Sequence, residues 1–173
     1  MGDIVHQDRA LTIAVLHKLL EMYEAEWESH RFGMNSLSIH ACMFLLLTCL
    51  GNIQGYEAVW TDLAALTYNV AYCEDLGDLS AVSWPIVGRF KAHDRVAGCY
   101  MIPIAGTTNS GIRFFEWTQR FLGYLSREGK TKGWAFQQPD GSRALAADYR
   151  DNLFGKLEVI QATTTLIDPG CNI

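Results

Sequence analysis

The chain has 173 residues, 49% of them hydrophobic, which is material for one core and argues against a disordered segment or two full-sized domains. Lysine and arginine total 14 against 19 aspartates and glutamates, a formal charge of −5, and such an acidic average argues against a protein that wraps nucleic acid. The longest apolar run, Leu37 to Leu50, contains Ser38 and His40 and is shorter than the roughly 20 residues that a bilayer crossing needs. It therefore predicts a buried helix and no membrane partner. The start, Met1 to Asp8, lacks the basic and apolar regions of a signal peptide, and His6 stands where a myristoylation pattern on Gly2 wants Ser or Thr. The expected location is intracellular: nuclear in a eukaryote, cytoplasmic otherwise.

In chain order, Asp8 is positioned to cap a helix whose apolar residues Leu11, Val15, Leu19, Met22, Tyr23 and Trp27 recur at three- and four-residue steps, with Glu21, Glu24, Glu26 and Glu28 outside. A polar break from His30 to Asn35 precedes the apolar helix, which ends near Gly51. Gly51-Asn52-Ile53-Gln54-Gly55-Tyr56-Glu57 reads as a tight turn, buried between apolar neighbours, that feeds a short helix from about Tyr56 to Asp62. Leu63 to Cys73 is open between helix (Ala64-Ala65-Leu66) and strand (Thr67-Tyr68-Asn69-Val70).

Ser83 to Phe90 and Gly98 to Ile104 are apolar runs flanking the charged stretch Lys91 to Ala97, the pattern of a β-hairpin, and Pro85 and Pro103, each lacking a ladder donor, point to an edge or to the strand ends. Ser110 is placed to cap a helix with Ile112, Phe115, Leu122 and Leu125 inward. Gly133 to Phe136 is strand-like and leads into the turn Gln138-Pro139-Asp140-Gly141. A last helix is predicted from Ser142, burying Leu145, Tyr149, Leu153, Leu157 and Ile160. The fold class is mainly α with a small antiparallel β-hairpin, as a single domain over residues 1–173.

Five cysteines, Cys42, Cys49, Cys73, Cys99 and Cys171, form no C-x-x-C pair, so they fit neither a disulfide framework nor a thiolate zinc site and read as reduced core residues. Histidines 6, 17, 30, 40 and 93 are scattered without ligand spacing, so no metal site is expected. The absence of G-x-S-x-G and of a P-loop disfavours an unrelated hydrolase and any small-molecule substrate.

Charge by segment revises the first impression. Residues 1–87 hold three basic residues against eleven acidic ones, whereas 88–132 hold Arg89, Lys91, Arg95, Arg113, Arg120, Arg127, Lys130 and Lys132 against Asp94, Glu116 and Glu128. A basic hairpin followed by a basic helix is a footprint for phosphates, since each neutralised phosphate releases a counterion. A solvated face with ordinary salt bridges has the same composition.

The apolar helix Met43 to Leu50, the turn G-N-I-Q-G-Y-E, the hairpin with G-R-F-K (Gly88 to Lys91) and M-I-P-I (Met101 to Ile104), then T-N-S-G-I (Thr108 to Ile112) and F-Q-Q-P-D-G-S (Phe136 to Ser142) together resemble the catalytic domain of tyrosine recombinases. The likeness is strongest to the recombinase-like proteins of DIRS-type retroelements. It implies a role in DNA recombination and integration, with strand breaking and rejoining in the parent family and no metal or other cofactor, because the bond energy is kept in a phosphotyrosine.

By that resemblance Glu57 stands at the family's acidic position and Gln54 at its phosphate-binding arginine, where a neutral amide cannot supply the charged fork of a guanidinium. Lys91 stands for the hairpin lysine that donates a proton to the leaving oxygen, with Arg89 and Arg95 as DNA-backbone neighbours, and a solvated hairpin lysine is the plainer alternative. Arg113, Arg120, Lys130 and Lys132 complete the expected DNA-binding set. The family's later basic box and nucleophilic tyrosine have no match before Ile173, and Tyr149 falls on the apolar face of the last helix, so the expectation is a degenerate domain, incomplete at its C-terminal end. The expected partner is duplex DNA, bound weakly and in a salt-dependent way, and a homo-oligomer is also allowed. The competing reading is a non-enzymatic α-rich protein-interaction module.

Overall fold

The computed structural model describes residues 11–30, 34–88 and 98–167. In chain order they form α1 (Ile13–Ser29), α2 (Ser36–Leu50), α3 (Gly55–Ala58), α4 (Leu63–Leu76), β1 (Ala81–Gly88), β2 (Gly98–Ala105), α5 (Phe114–Arg127) and α6 (Ala147–Ile167). The chain is mainly helical with one two-stranded antiparallel sheet. No described helix is long and apolar enough to cross a membrane.

Caps set the helix starts. Asp8 lies outside the described residues, and α1 is opened by Thr12, whose Oγ1 accepts from Val15 N at 3.3 Å. Leu11, expected inward, precedes that start and is exposed, while Val15, Leu16, Leu19, Leu20 and Tyr23 face the core. Asn35 caps α2 by accepting from Ser38 N at 2.9 Å, and the run from Ser38 to Leu47 is buried all round. The stretch left open by the sequence is helix α4. Asp62 caps it through Ala65 N at 2.7 Å, Leu63, Leu66 and Val70 supply a helical apolar stripe, and Gly77 ends it with φ 67°. These signals outweigh the β-branched residues Thr67 and Val70.

The hairpin runs from Ala81↔Ala105 to Gly88↔Gly98, with Val82, Trp84 and Ile86 buried. Along the other side of β1 lies the segment after α3: Val87 N donates to Trp60 O at 2.9 Å and Asp62 N to Pro85 O at 3.3 Å. A strand residue's N–H and C=O point to the same side, so the donor that Pro85 lacks is missing from that side and not from the ladder with β2.

Other starts differ from expectation. Ser110 caps nothing: its Oγ meets Thr108 Oγ1 at 2.8 Å, Ile112 N donates to Thr108 Oγ1 at 3.0 Å, and α5 begins at Phe114 without a side-chain cap. The last helix begins at Ala147, not Ser142, because residues 137–143 form a tight turn closed by Gln138 N to Ser142 O at 2.8 Å. Leu145 is exposed as a result, whereas Tyr149 and Ile160 are buried and Leu153 and Leu157 pack against the core. The short helix α3 ends at Ala58, and Gly133 to Phe136 makes only a bridge, Trp134 opposite Asp62. Among the cysteines, Cys42 is buried as expected but Cys49 is exposed.

Candidate functional site

The turn that carries Gln54 is not buried: Asn52, Gln54 and Tyr56 are exposed, alternating with half-buried Gly51, Ile53, Gly55 and Glu57. Asn52 holds φ 50°, a conformation Asn tolerates, and redirects the chain after α2. Gln54 N donates to Glu57 Oε2 at 3.0 Å, so the family's acidic position here helps cap α3. Gly55 packs closely, since a Cβ added there would lie 2.9 Å from Phe44 Cζ and 3.5 Å from the Ala146 Cβ.

Trp60 follows directly and joins three parts of the chain. Its carbonyl accepts from Val87, its ring meets Trp134 edge-on with centroids 5.3 Å apart, and a Cβ on Gly88 would touch it at 3.5 Å. The guanidinium of Arg143 lies over the same ring, with Cζ 3.8 Å from the centroid. The Gln54 turn, the end of β1 and the 134–146 segment therefore meet at one surface. Beneath it Trp84 Nε1 donates to Thr61 Oγ1 at 2.8 Å.

Of the expected site residues, Gln54 and Glu57 stand on this surface, and Arg89, Lys91 and Arg95 lie outside the described residues. Arg120 does not belong with them. Its guanidinium donates to Glu24 at 2.7 and 2.9 Å and to Glu116 at 2.5 Å, lies over the rings of Trp27 and Trp117, and is only 14% exposed. It clasps α5 to α1, with its charge met by two carboxylates. Arg113 joins the same cluster through Glu116 at 2.7 Å. The Arg120 hydrogen bond holds the Glu24 carboxyl below its usual range, against the opposing effect of burial. Lys130 N closes the end of α5 on Leu125 O at 2.8 Å, and Lys132 is exposed two residues before Trp134.

His40 is buried among Phe121, Tyr124, Phe136 and Tyr149. Its Nδ1 lies 2.7 Å from Ser36 O, so Nδ1 carries the proton, and Nε2 makes no hydrogen bond among the described residues. Burial, with the charge of Lys130 adding to it, pushes its pKa from 6.5 down to about 4. Tyr149 stacks on His40 in this aromatic cluster, and burial raises its hydroxyl well above the ordinary tyrosine value. It is a core residue, as its helical position implied. No group of three or more His, Cys, Asp or Glu among the described residues is arranged to hold a metal ion.

Trp60, Trp134 and Arg143 were not singled out from the sequence. No spacing pattern links residues that meet only through tertiary structure; the sole hint is that Arg143 directly follows the P-D-G-S turn. Comparison with known protein families, characterised proteins and solved structures finds no match.

Proposed function

We propose that this chain is a DNA-binding domain of the tyrosine-recombinase kind, one that grips duplex DNA beside the β1–β2 hairpin and does not cut it with its own residues. What supports the reading is one convergence. The segment Trp60 to Asp62, which follows the Gln54–Glu57 turn, is hydrogen-bonded to β1, the strand that leads into Arg89 and Lys91. Two motifs read separately in the sequence thus belong to neighbouring parts of the fold. The neutral Gln54 at the family's arginine position and the burial of Tyr149 support binding without cleavage.

The test is titration of a labelled duplex at rising salt. Affinity is expected to fall linearly on logarithmic axes, and Gln54→Arg is expected to tighten binding several-fold and steepen the salt slope by about one. A nicked duplex should trap no covalent adduct. Failure to bind at low salt, or binding indifferent to salt, would remove the reading, and an adduct at Tyr149 would reverse its non-cutting part.

A second reading, a protein-interaction module, draws on one observation: Tyr68 and Tyr72 stack with centroids 6.5 Å apart on the outer face of α4, both exposed, with exposed Leu76 one turn further on. Under it the molecular mass rises with concentration and Tyr72→Lys abolishes the rise.

A further inference from the structure

We propose that Arg143 binds a backbone phosphate of duplex DNA beside the Gln54 turn, an assignment that rests on the DNA-binding reading above. Arg143 is half-buried, yet it has no carboxylate within ion-pair distance and no hydrogen-bond partner for its guanidinium among the described residues. Two other cations drawn into the fold are matched, Arg120 with Glu24 and Glu116 and Lys156 with Glu26, whereas half-buried Lys130 shares with Arg143 the lack of an ion pair among the described residues. The nearest acid in sequence, Asp140, is occupied by Ser142, accepting from its N at 2.9 Å and its Oγ at 2.6 Å. A partly desolvated cation with no counter-ion among the described residues is a site that an anion completes.

The setting gives the anion a geometry. Lying over the Trp60 ring, the guanidinium is fixed as a flat plate whose N–H donors radiate from its edge, the form that meets two phosphate oxygens at once. Trp134 braces Trp60 from the side, and the bridge between Gln137 and Arg143 holds the backbone. The segment carrying Arg143 reaches the Gln54 turn through Ala146, which faces Gly55. A charged fork therefore stands next to the turn whose expected arginine is glutamine. Of the anions that would fit, a phosphodiester is favoured because β1 leads from this surface into the basic stretch beginning at Arg89.

The experiment compares the full chain with Arg143→Gln, Arg143→Lys and Arg150→Gln in duplex titrations across salt, with thermal melting of each protein alongside. Arg143→Gln is expected to weaken duplex binding about tenfold at low salt and to lower the salt slope by about one. Arg143→Lys keeps the charge but not the flat fork, so it should retain the slope and lose several-fold in affinity; it carries the test if Arg143→Gln does not fold. Arg150, exposed beside Asp151, controls for mere loss of a positive charge. Wild-type protein that does not bind duplex removes the domain reading and this one together. Wild-type protein that binds, with Arg143→Gln or Arg143→Lys unchanged or with Arg150→Gln equally weakened, removes the Arg143 assignment alone.

Discussion

Thr61 makes two hydrogen bonds away from water: its Oγ1 donates to Ala58 O at 2.7 Å and accepts from Trp84 Nε1 at 2.8 Å, and both residues are fully buried. The hydroxyl has one proton, already given to Ala58, so the indole N–H depends on its lone pair. Thr61→Val keeps the shape and removes both bonds, leaving a buried donor unpaired, and should cost about 1–3 kcal/mol. Urea denaturation checks this. A loss under about 0.5 kcal/mol, the range of an ordinary surface substitution, would mean that another acceptor takes over. The residue also matters for the candidate surface, because it anchors the backbone between Trp60, on which Arg143 stacks, and Asp62, which caps α4.

At the scale of elements, α5 shows what one helix contributes to its neighbours. Phe114, Phe115, Trp117, Thr118, Phe121 and Leu125 face inward, while Arg120 reaches α1. Arg120→Ala removes the clasp and leaves Glu24 partly buried with only the more distant Arg113, at 3.8 Å, so a loss of about 2 kcal/mol is expected. The duplex salt slope should stay the same, because this arginine is already neutralised; a slope reduced by about one would return it to the DNA-contacting set. Arg120 also marks how far the sequence could be read. Local periodicity made α2, the hairpin and the inward face of α5 legible, since spacing alone decides which residues share a face. The sequence offers Ser110 as a helix cap and Ser142 as the start of the last helix because Ser suits both helix starts and turns, and only the hydrogen bonds of the folded chain distinguish the two uses. Basic residues on α5 looked alike in sequence, and whether each met a carboxylate depended on the packing of α1. The site was partly legible for the same reason: Gln54 and Glu57 belong to a local turn, whereas Arg143 acquires its meaning from Trp60.

For the whole molecule, acid stability turns on His40, which lies where α2, α5, the Phe136 segment and α6 meet. In the unfolded chain the imidazole takes up a proton near its ordinary value of 6.5, whereas in the folded protein it does so only at about 4. Between those values the unfolded state binds one more proton than the native state, so stability is complete above 6.5 and falls as pH drops towards 4. The whole window corresponds to about 3 kcal/mol at 1.36 kcal/mol per unit. Glu24 acts at lower pH with the other proton balance: its carboxyl is depressed by Arg120, so its contribution is present above the unfolded carboxylate value and disappears as pH falls through the lower folded one. The two effects therefore separate, with the histidine dominating from neutrality down to mild acid. Urea denaturation at pH 7.5, 6 and 5 should show a progressive loss for the native sequence. His40→Gln should begin less stable at pH 7.5, through altered packing against Phe121 and Tyr149, and then lose little on acidification. If both proteins lost stability in parallel, another group would be titrating in this range. If neither did, water or a conformational change would be hydrating the imidazole well enough to let it charge in place, and the aromatic cluster could not be the closed centre of the fold.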